Sequence, residues 1–316
     1  MTVDKGRFAP SPSGRMHLGN IMCALLAWLS VKSKGGTLVL RIEDLDTARC
    51  KKEYARQLMD DLRWLGLTWE EGPGKNEPDA PYFQSERTEI YENALDRLRE
   101  KAMIYPCFCS RADLHAANAP HLSDGTVLYQ NTCRGLTASE QAEKNKKRPG
   151  ALRIAVPDEN ICFTDGHLGA VCQNLKRECG DFILRRSDGV FAYQLAVVAD
   201  DACMGITEVV RGQDLLSSTP RQIYLQRLLG VKTPSYYHIP LLVNEQGVRL
   251  SKREKSLDMQ ELRKRYAPSE LLGELAALCG LQQKPYAKTP QELAAVFDWG
   301  KIVREPIVVP KRIQNE

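Results

Sequence analysis

The sequence predicts an α/β protein built on a parallel, nucleotide-binding type of sheet, and three observations carry this prediction. A β-α-β unit occupies roughly the first 42 residues, two amphipathic helices follow it, and strand-like segments return near residue 190 after a cysteine-rich stretch. Neighbouring parallel strands need a crossover helix between them, so this order of elements is typical of a sheet with helices on its faces.

The β-α-β unit is the clearest of the three. Residues 6–9 predict a short strand, which Pro10 and Pro12 end. Apolar residues then recur at the spacing of one buried helix face, at Leu18, Ile21, Met22, Leu25 and Leu29. Gly35 and Gly36 stop this helix, and the segment "TLVLRI" that follows them predicts a buried strand.

The later elements are predicted in the same way. Amphipathic helices are expected around residues 51–65 and 86–101. The alternating and β-branched segments "FAYQLAVVADD" and "GITEVVRGQDLL" predict that the first sheet resumes near residue 190. "LLVNEQGVRLSKREKS" predicts a strand and a hairpin that lead into an exposed loop, and the chain from residue 257 reads mainly as helix.

Composition limits the classes of protein that fit. Hydrophobic residues make up 43% and charged residues 27%, which is a soluble globular balance. No apolar run approaches the roughly 20 residues that span a bilayer, and "MTVDKGRFAP" lacks the apolar core of a signal peptide, so we expect a cytoplasmic protein without a membrane partner. Ten cysteines in such a chain predict thiols, some bound to metal, rather than disulfides. A net charge of +4 means that a nucleic acid needs a local basic face.

The stretch "RFAPSPSGRMHLGN" carries the first functional signal. A strand, a glycine-containing turn and a helix N-terminus together form an anion site, because backbone N–H groups and the positive end of the helix dipole point at the ligand. His17 at the helix start can donate hydrogen bonds to phosphate oxygens, and Gly19 lets a flat ring approach the backbone. Alone, a histidine at this place is more often a structural cap.

"RFAPSPSG…HLGN", followed by "LRIEDLD" and much later by "RLSKR" (residues 249–253), resembles the class I aminoacyl-tRNA synthetases in their glutamyl branch. The two signature motifs of that class, HIGH and KMSKS, occupy these places, although arginine replaces the first lysine of the second motif. The resemblance runs from about Gly6 to Ser256. It implies a Rossmann-type catalytic domain whose halves cover residues 1–104 and 191–256, an inserted subdomain over 105–190, and a short helical C-terminal region over 257–316.

This family joins an amino-acid carboxylate to the α-phosphate of ATP, with Mg²⁺ accompanying the nucleotide, and needs no enzymic nucleophile. The protein must align the reactants and stabilise charge on phosphate, which makes His17 and Lys252 the predicted catalytic residues. The predicted ATP-binding residues are His17, Gly19, Asn20, Arg249, Leu250, Ser251, Lys252 and Arg253. The other interpretation of "RLSKREK" is a solvated basic loop.

Glutamate carries two carboxylates and one ammonium, so its site needs fixed cations and an acceptor. By the resemblance, the predicted glutamate-binding residues are Arg7, Phe8, Ala9, Pro10, Ser11, Glu43, Tyr193 and Arg211. Glu43 is expected to take the ammonium and Tyr193 to add a hydroxyl. Alternatively, Glu43 and Arg41 form only an ion pair at the strand end, and Tyr193 is an ordinary core residue.

Cysteines in the insert predict one structural Zn²⁺ per chain. Cys107, Cys109 and Cys133 offer three thiolates, and soft sulfur ligands suit tetrahedral zinc. General chemistry favours His115 or His121 as the fourth ligand, whereas the resemblance to short glutamyl-type enzymes implies Tyr129. Free buried cysteines are the alternative, and we expect the remaining three cysteines of the insert, Cys162, Cys172 and Cys179, to be packing residues.

The final acceptor depends on the far end of the chain. Glutamyl-tRNA synthetases continue into helical domains that read the anticodon, whereas only 60 residues follow Ser256 here. The resemblance therefore implies a shortened enzyme that activates glutamate without tRNA and transfers it to the queuosine base of tRNA-Asp. A truncated enzyme charging the tRNA 3′ end and a non-catalytic zinc-bearing RNA-binding protein are the alternatives. The basic run from Lys144 to Arg148 either touches phosphates or is a plain exposed loop, and no DNA partner is expected.

Overall fold

A computed structural model describes residues 4–75, 78–110, 112–113, 128–250 and 257–314. The described strands are β1 (Lys5–Phe8), β2 (Thr37–Leu40), β3 (Ile104–Cys107), β4 (Ala151–Ile154), β5 (Asn160–Asp165), β6 (Gly169–Asn174), β7 (Phe182–Arg185), β8 (Glu208–Gly212), β9 (Ser235–Ile239), β10 (Leu242–Val243) and β11 (Ile307–Val308). The described α-helices are α1 (Leu18–Lys32), α2 (Lys52–Trp64), α3 (Thr88–Arg99), α4 (Ala138–Lys147), α5 (Tyr193–Cys203), α6 (Thr219–Leu229), α7 (Met259–Arg265), α8 (Pro268–Leu278), α9 (Pro290–Ala294) and α10 (Lys311–Gln314). No helix among these is long and apolar enough to cross a bilayer.

A four-stranded parallel sheet organises the fold, in the order β2-β1-β8-β9. The predicted β-α-β unit is confirmed, because β1 pairs in parallel with β2 and α1 connects them. The carboxyl ends of β1, β8 and β9 therefore meet at one edge, which is where ligands bind in open α/β sheets.

Helix α1 is more deeply buried than the one-face pattern predicted. Every residue from Ala24 to Val31 is buried. The helix packs against β1 and β8 on one side and against α9 of the C-terminal region on the other. A second apolar layer thus replaces the solvent that an amphipathic surface helix would face.

The segment "FAYQLAVVADD" corrects the sequence-based expectation. We predicted that the sheet resumes here, but residues 193–203 form helix α5, and the sheet returns only with β8. The residues from Leu195 to Asp201 are all buried. Burial on all sides overrides the strand preference of the valines, and the alternating pattern therefore gave the wrong element.

Residues between β3 and β7 contain two antiparallel pieces. One is the sheet β3-β4-β7, and the other is the hairpin of β5 and β6. Cys162 and Cys172 are directly opposite each other in this hairpin and form a disulfide, so the expectation that they are packing thiols was wrong. Both are exposed, whereas Cys179 is buried as predicted.

The C-terminal region is mainly helical, as predicted, but it also contains a short strand. Residues 307–308 form β11, which pairs in parallel with β10. The predicted hairpin follows β10, since Val243 bridges to Arg249 in antiparallel fashion. The basic run from Lys144 to Arg148 is not a loop: it forms the end of α4 and its cap, and it is exposed.

Candidate active site

One cavity of about 350 Å³ lies at the carboxyl edge of the parallel sheet, next to the N-terminus of α1. The structure brings every predicted glutamate- and nucleotide-binding residue that it describes to the wall of this cavity. These residues are Arg7, Phe8, Ala9, Pro10, Ser11, His17, Gly19, Asn20, Glu43, Tyr193, Arg211, Arg249 and Leu250. The predicted residues Ser251, Lys252 and Arg253 lie outside the described residues.

His17 is the N-cap of α1. The side-chain Nδ1 of His17 accepts a hydrogen bond from the Gly19 backbone N–H at 3.2 Å. The backbone N–H of His17 donates to Asn20 Oδ1, also at 3.2 Å. This reciprocal capping fixes the imidazole at the positive end of the helix dipole. A Cβ on Gly19 would come within 3.1 Å of His17 Cε1, so the glycine makes room for the ring itself. An anion in the cavity would thus meet both the imidazole and the helix N-terminus.

The described residues on either side of positions 251–256 contact the cavity wall or the first motif. At the near end, Arg249 Nη2 lies 2.8 Å from Asp214 Oδ2, and Leu250 is buried. Beyond it, Asp258 forms a backbone bridge with His17, and the Met259 N–H donates to the carbonyl of Met16 at 2.9 Å. Residue 250 therefore lies at the cavity wall, and residue 258 lies beside the first motif.

Arg211 is a buried cation whose described partners are all neutral. Its Nε donates to His238 Nε2 at 3.0 Å, and its Nη2 donates to Thr219 Oγ1 at 2.7 Å. Its Nη1 donates to Gln222 Oε1 at 2.8 Å and lies 3.4 Å from the Tyr193 hydroxyl. No carboxylate among the described residues forms an ion pair with this guanidinium. A buried positive charge without an anion is costly, so an anion bound here would relieve that cost.

Arg41, in contrast, lies within a cluster of carboxylates. Its Nη1 is 2.6 Å from Asp201 Oδ1, its Nε is 3.5 Å from Asp200 Oδ2, and its Nη2 is 3.2 Å from Glu43 Oε1. Arg7 joins at the cavity side, with Nε 3.7 Å from Asp201 Oδ1. Glu43 forms the expected ion pair with Arg41, and it also lines the cavity.

Electrostatics at Glu43 and Tyr193 reflect their burial. Burial raises the pKa of the Glu43 carboxyl above its ordinary value, although the nearby guanidinium groups of Arg41 and Arg7 act in the opposite direction. Burial also raises the pKa of the Tyr193 phenol, so that it stays a neutral hydroxyl. A positively charged group of a ligand would therefore stabilise the ionised carboxylate of Glu43.

A second carboxylate of α5, Asp200, anchors the far side of this cluster. It accepts from Arg87 Nε at 2.6 Å, from Gln84 Nε2 at 2.8 Å and from the Tyr91 hydroxyl at 3.0 Å. Sequence reasoning missed Asp200 and Asp201. The signal was present, because two consecutive acids in the apolar run "LAVVADDA" can be buried only if cations meet them.

A larger cavity of about 530 Å³ adjoins the first. Ser11, Glu43 and Tyr193 form a wall common to both. The rest of its lining combines apolar side chains with acidic, basic, thiol, hydroxyl and amide groups: Ser13, Leu45, Asp46, Arg49, Cys50, Gln84, Ile183, Arg186, Val190, Phe191 and Ala192. A molecule in the second cavity would therefore contact the same three side chains as the ligand in the first.

The three predicted cysteine ligands converge. The sulfur atoms of Cys107, Cys109 and Cys133 lie within 4.8 Å of one another, with 3.7 Å between the last two. The Tyr129 hydroxyl is 3.5 Å from Cys107 Sγ and accepts from the Cys133 backbone N–H at 2.8 Å. The alternative ligands His115 and His121 lie outside the described residues.

This chain is similar to several known proteins. The family model of class I tRNA synthetases for E and Q, catalytic domain, matches residues 5–305. A protein of Symbiobacterium thermophilum named glutamyl-Q tRNA(Asp) synthetase is 50% identical, over 96% of this chain and 95% of that one. A protein of the same name from Nitratidesulfovibrio vulgaris is 46% identical, over 98% and 96%. A crystal structure of glutamate-tRNA synthetase from Elizabethkingia anophelis superposes with a TM-score of 0.86 at 27% identity, covering 99% of this chain and 69% of that chain.

Proposed function

The chain belongs to the class I tRNA synthetases for glutamate and glutamine, and from that premise we propose that it activates L-glutamate with ATP and transfers it to queuosine in tRNA-Asp. Activation needs no tRNA in this proposal. Its relatives named glutamyl-Q tRNA(Asp) synthetase match over nearly their whole length, which supports this acceptor over the 3′ end of tRNA-Glu. Mg²⁺ would accompany the ATP.

The buried guanidinium of Arg211, which has no carboxylate partner among the described residues, is the observation that carries the glutamate assignment. Together with Arg7 it offers fixed positive charge to a substrate with two carboxylates. Glu43, on the same cavity wall, offers the negative charge that an ammonium group needs. A neutral amino acid has one carboxylate and would leave one of these two cavity cations without a substrate carboxylate.

The chemical step has simple requirements. An oxygen of the substrate carboxylate attacks the α-phosphorus of ATP, the bond to the bridging oxygen breaks, and pyrophosphate leaves with the electron pair. Charge develops on phosphate oxygens, and His17 at the helix N-terminus faces that place in the proposal, with Lys252 from the motif loop as the second donor. Each preorganised donor of this kind contributes roughly 3 kcal/mol to the transition state.

The second cavity supports a bulky acceptor. In the proposal, a hydroxyl of the queuosine cis-diol reaches across the wall formed by Ser11, Glu43 and Tyr193 to the carbonyl of the adenylate. The ester bond forms as the anhydride bond breaks, AMP leaves, and the hydroxyl proton passes to solvent or to the phosphate. Asp46, on the lining, would attract the positively charged amine of the modified base.

The decisive experiment offers activated, labelled glutamate to three acceptors: tRNA-Asp with queuosine, tRNA-Asp without it, and tRNA-Glu. We expect label on the first alone, and pyrophosphate exchange in the absence of any tRNA. Label on tRNA-Glu would indicate a truncated glutamyl-tRNA synthetase. The absence of any adenylate would indicate a non-catalytic RNA-binding relative.

A variant in the second cavity tests the acceptor assignment. Val190 is half-buried and lines only this cavity, so Val190→Trp should fill it without touching the first. Transfer to queuosine-bearing tRNA should fall by about 10-fold or more, while glutamate-dependent pyrophosphate exchange stays within about 2-fold. Equal losses in both reactions would contradict the assignment.

The cysteine cluster fits a structural zinc site in residues 105–190, with Cys107, Cys109, Cys133 and Tyr129 as its ligands. A tetrahedral site with Zn–S bonds of about 2.3 Å has sulfur atoms about 3.8 Å apart, and Cys109 and Cys133 are 3.7 Å apart. The Tyr129 oxygen already accepts a backbone N–H, so as a ligand it would keep that contact and lose only its proton. Zinc would fix the chain around β3 without taking part in the reaction.

Metal analysis of two serine variants tests this site. The wild-type protein should contain about one zinc per chain, and Cys133→Ser should lose most of it. Cys179→Ser is the matched control, because Cys179 is also a buried cysteine of the insert but lies outside the cluster. Less than about half a zinc per wild-type chain after gentle purification would refute the site.

A further inference from the structure

A buried relay of three side chains connects the β5–β6 hairpin to the cavity. Asp165, the last residue of β5, has its Oδ2 2.6 Å from His238 Nδ1 on β9. His238 Nε2 is in turn 3.0 Å from Nε of Arg211 on β8. The side chains of Asp165 and His238 are completely buried. The relay thus begins in the β5–β6 hairpin, which has no residue in the cavity wall, and ends at Arg211, which lines the cavity.

The hydrogen bonds define the protonation state of His238. A guanidinium nitrogen can only donate, so His238 Nε2 must accept from Arg211, and the imidazole proton must be on Nδ1. There it donates to Asp165. A doubly protonated His238 would place an N–H against the Nε–H of Arg211, two donors facing each other. Burial lowers the pKa of the imidazole, and the positive charge of Arg211 also acts in this direction, which agrees with a neutral ring.

Asp165 is firmly oriented. Its Oδ1 accepts three backbone N–H groups, from His167 at 3.0 Å, from Leu168 at 2.9 Å and from His238 at 3.3 Å. Burial alone would raise the pKa of this carboxyl, but the hydrogen bonds from His238 and the backbone lower it below its ordinary value. A fixed anion therefore lies one imidazole away from Arg211.

We propose that Asp165 and His238 are positioning residues for Arg211: they hold its guanidinium toward the cavity and balance its charge at a distance, which leaves its face open to a substrate carboxylate. This inference rests on the proposed binding of glutamate at Arg211. A carboxylate paired directly with Arg211 would compete with the substrate, whereas an anion placed behind a neutral imidazole does not. The relay makes the affinity for the amino acid depend on a residue of the insert.

The variant Asp165→Asn removes the charge of this side chain and keeps its shape. The amide oxygen must remain toward the three backbone N–H groups, so its NH₂ group faces His238 Nδ1 and forces the imidazole proton to Nε2. That proton then opposes Arg211 Nε–H. We expect the KM for glutamate in pyrophosphate exchange to rise by about 10- to 100-fold, as when a charge-assisted hydrogen bond is lost. The kcat at saturating glutamate should change by less than about 3-fold.

The matched control is Asp181→Asn. Asp181 is another buried carboxylate of the insert, which accepts from the Val156 backbone N–H and the Tyr105 hydroxyl and has no contact with the relay. It should cost stability without raising the KM for glutamate by more than about 2-fold. If both variants raise this KM equally, the relay has no specific effect and the proposal is refuted.

Two further measurements keep the test decisive if Asp165→Asn folds poorly. His238→Gln can present an amide oxygen to Arg211, whereas His238→Leu cannot, so Gln should retain a clearly lower KM for glutamate than Leu. In an Arg211→Lys background, Asp165→Asn should raise the KM by less than about 2-fold, because the coupled pair is already broken. Equal values for Gln and Leu, or fully multiplicative effects, would overturn the proposal.

Wild-type protein in the same assay separates this proposal from the proposed function. If it shows no glutamate-dependent exchange, the glutamate assignment fails. If it is active and all relay variants keep its KM, only the relay fails. Calorimetric titration with glutamate in the absence of ATP should show the same rise in dissociation constant as the KM, since the relay acts on binding.

Discussion

Two buried arginines at the edge of the parallel sheet have opposite surroundings. Arg41 contacts Asp200, Asp201 and Glu43, and the neighbouring Arg87 shares one of these carboxylates. Arg211 contacts only neutral groups in the described part of the chain. Both side chains are almost completely buried. The difference lies in the source of the anion: the protein supplies it for Arg41, and in the proposed function the substrate supplies it for Arg211.

This contrast predicts a role in stability for the cluster around Arg41 and a role in ligand binding for Arg211. A buried ion pair that is complete within the fold contributes to the arrangement of β2 and α5, and removing one member leaves an uncompensated charge. A buried cation that the fold leaves without an anion lowers the stability of the empty protein and increases its affinity for a carboxylate. We therefore expect variants in the two places to affect different quantities.

The largest effect is expected from Asp200→Asn in the compensated cluster. Asp200 accepts from Arg87, Gln84 and Tyr91, and the loss of its charge leaves the buried Arg87 without its carboxylate. The free energy of unfolding should fall by about 3 to 5 kcal/mol, measured by urea denaturation.

The matched control for this variant is Asp96→Asn, whose exposed carboxylate pairs with Arg99 on α3. It should cost less than about 0.5 kcal/mol. A similar cost in the two variants would show that the buried cluster does not contribute specifically to stability.

The next effect is expected from Arg211→Lys, and it should fall on activity. Lysine keeps the charge but cannot donate to His238, Thr219 and the substrate from one planar group. The kcat/KM for glutamate in pyrophosphate exchange should drop by about 100- to 1,000-fold, whereas the melting temperature should change by only a few degrees.

Arg227→Lys, at a surface pair with Glu159, is the control for this substitution and should change neither quantity. If Arg211→Lys lowers the melting temperature strongly but leaves the kcat/KM for glutamate unchanged, the contrast between the two arginines is wrong.

Much of this site could be predicted from the sequence because its signals are local. The capped helix start at His17 and the two linked strands follow from proline, glycine and apolar spacing in one short segment. The converging pocket residues came from the resemblance of two motifs, whereas the fold class came from the order of the predicted elements. The thiol cluster followed from residue type, since three cysteines near one another favour zinc.

The missed parts depend on contacts between distant segments. Asp165 meets His238 across 73 positions, and Arg87 meets Asp200 across 113. A single sequence shows no such pairing: the apolar run around Asp200 indicates burial but not which cation meets it, and Asp165 alone looks like a surface residue. Helix α5 was predicted as strand for a related reason: its burial comes from α3, α6 and β7, which local periodicity cannot reveal.

Glu43 pairs with Arg41 and lines the same cavity as Arg211, so Glu43→Gln tests whether this carboxylate belongs to the ion-pair cluster or to the pocket. The amide can still accept from Arg41, so the free energy of unfolding should change by less than about 1 kcal/mol. Without the carboxylate, the substrate ammonium loses its partner, and the KM for glutamate should rise by about 10-fold.

The pH dependence of the KM for glutamate tests whether the ionised carboxylate of Glu43 binds the substrate. Burial raises the pKa of Glu43, so the carboxylate is neutralised at a higher pH than an ordinary glutamate would be. The KM for glutamate should therefore rise as the pH falls through that raised value, and Glu43→Gln should lack this rise. A parallel pH profile in both proteins would remove Glu43 from the ammonium site.

The smallest effect is expected at Gly19, where stability and activity should move in opposite directions. A Cβ would lie 3.1 Å from Cε1 and 3.3 Å from Nδ1 of His17, so the imidazole must shift by a few tenths of an ångström. Alanine also favours the first turn of α1 and stabilises it by up to about 1 kcal/mol. Gly19→Ala should therefore lower kcat for pyrophosphate exchange by about 5-fold while the protein melts at the same or a higher temperature. Gly135→Ala is the control, since its Cβ meets no atom within 4 Å. Unchanged kcat in Gly19→Ala would mean that the exact place of the ring is unimportant, and that the helix N-terminus alone serves the phosphates.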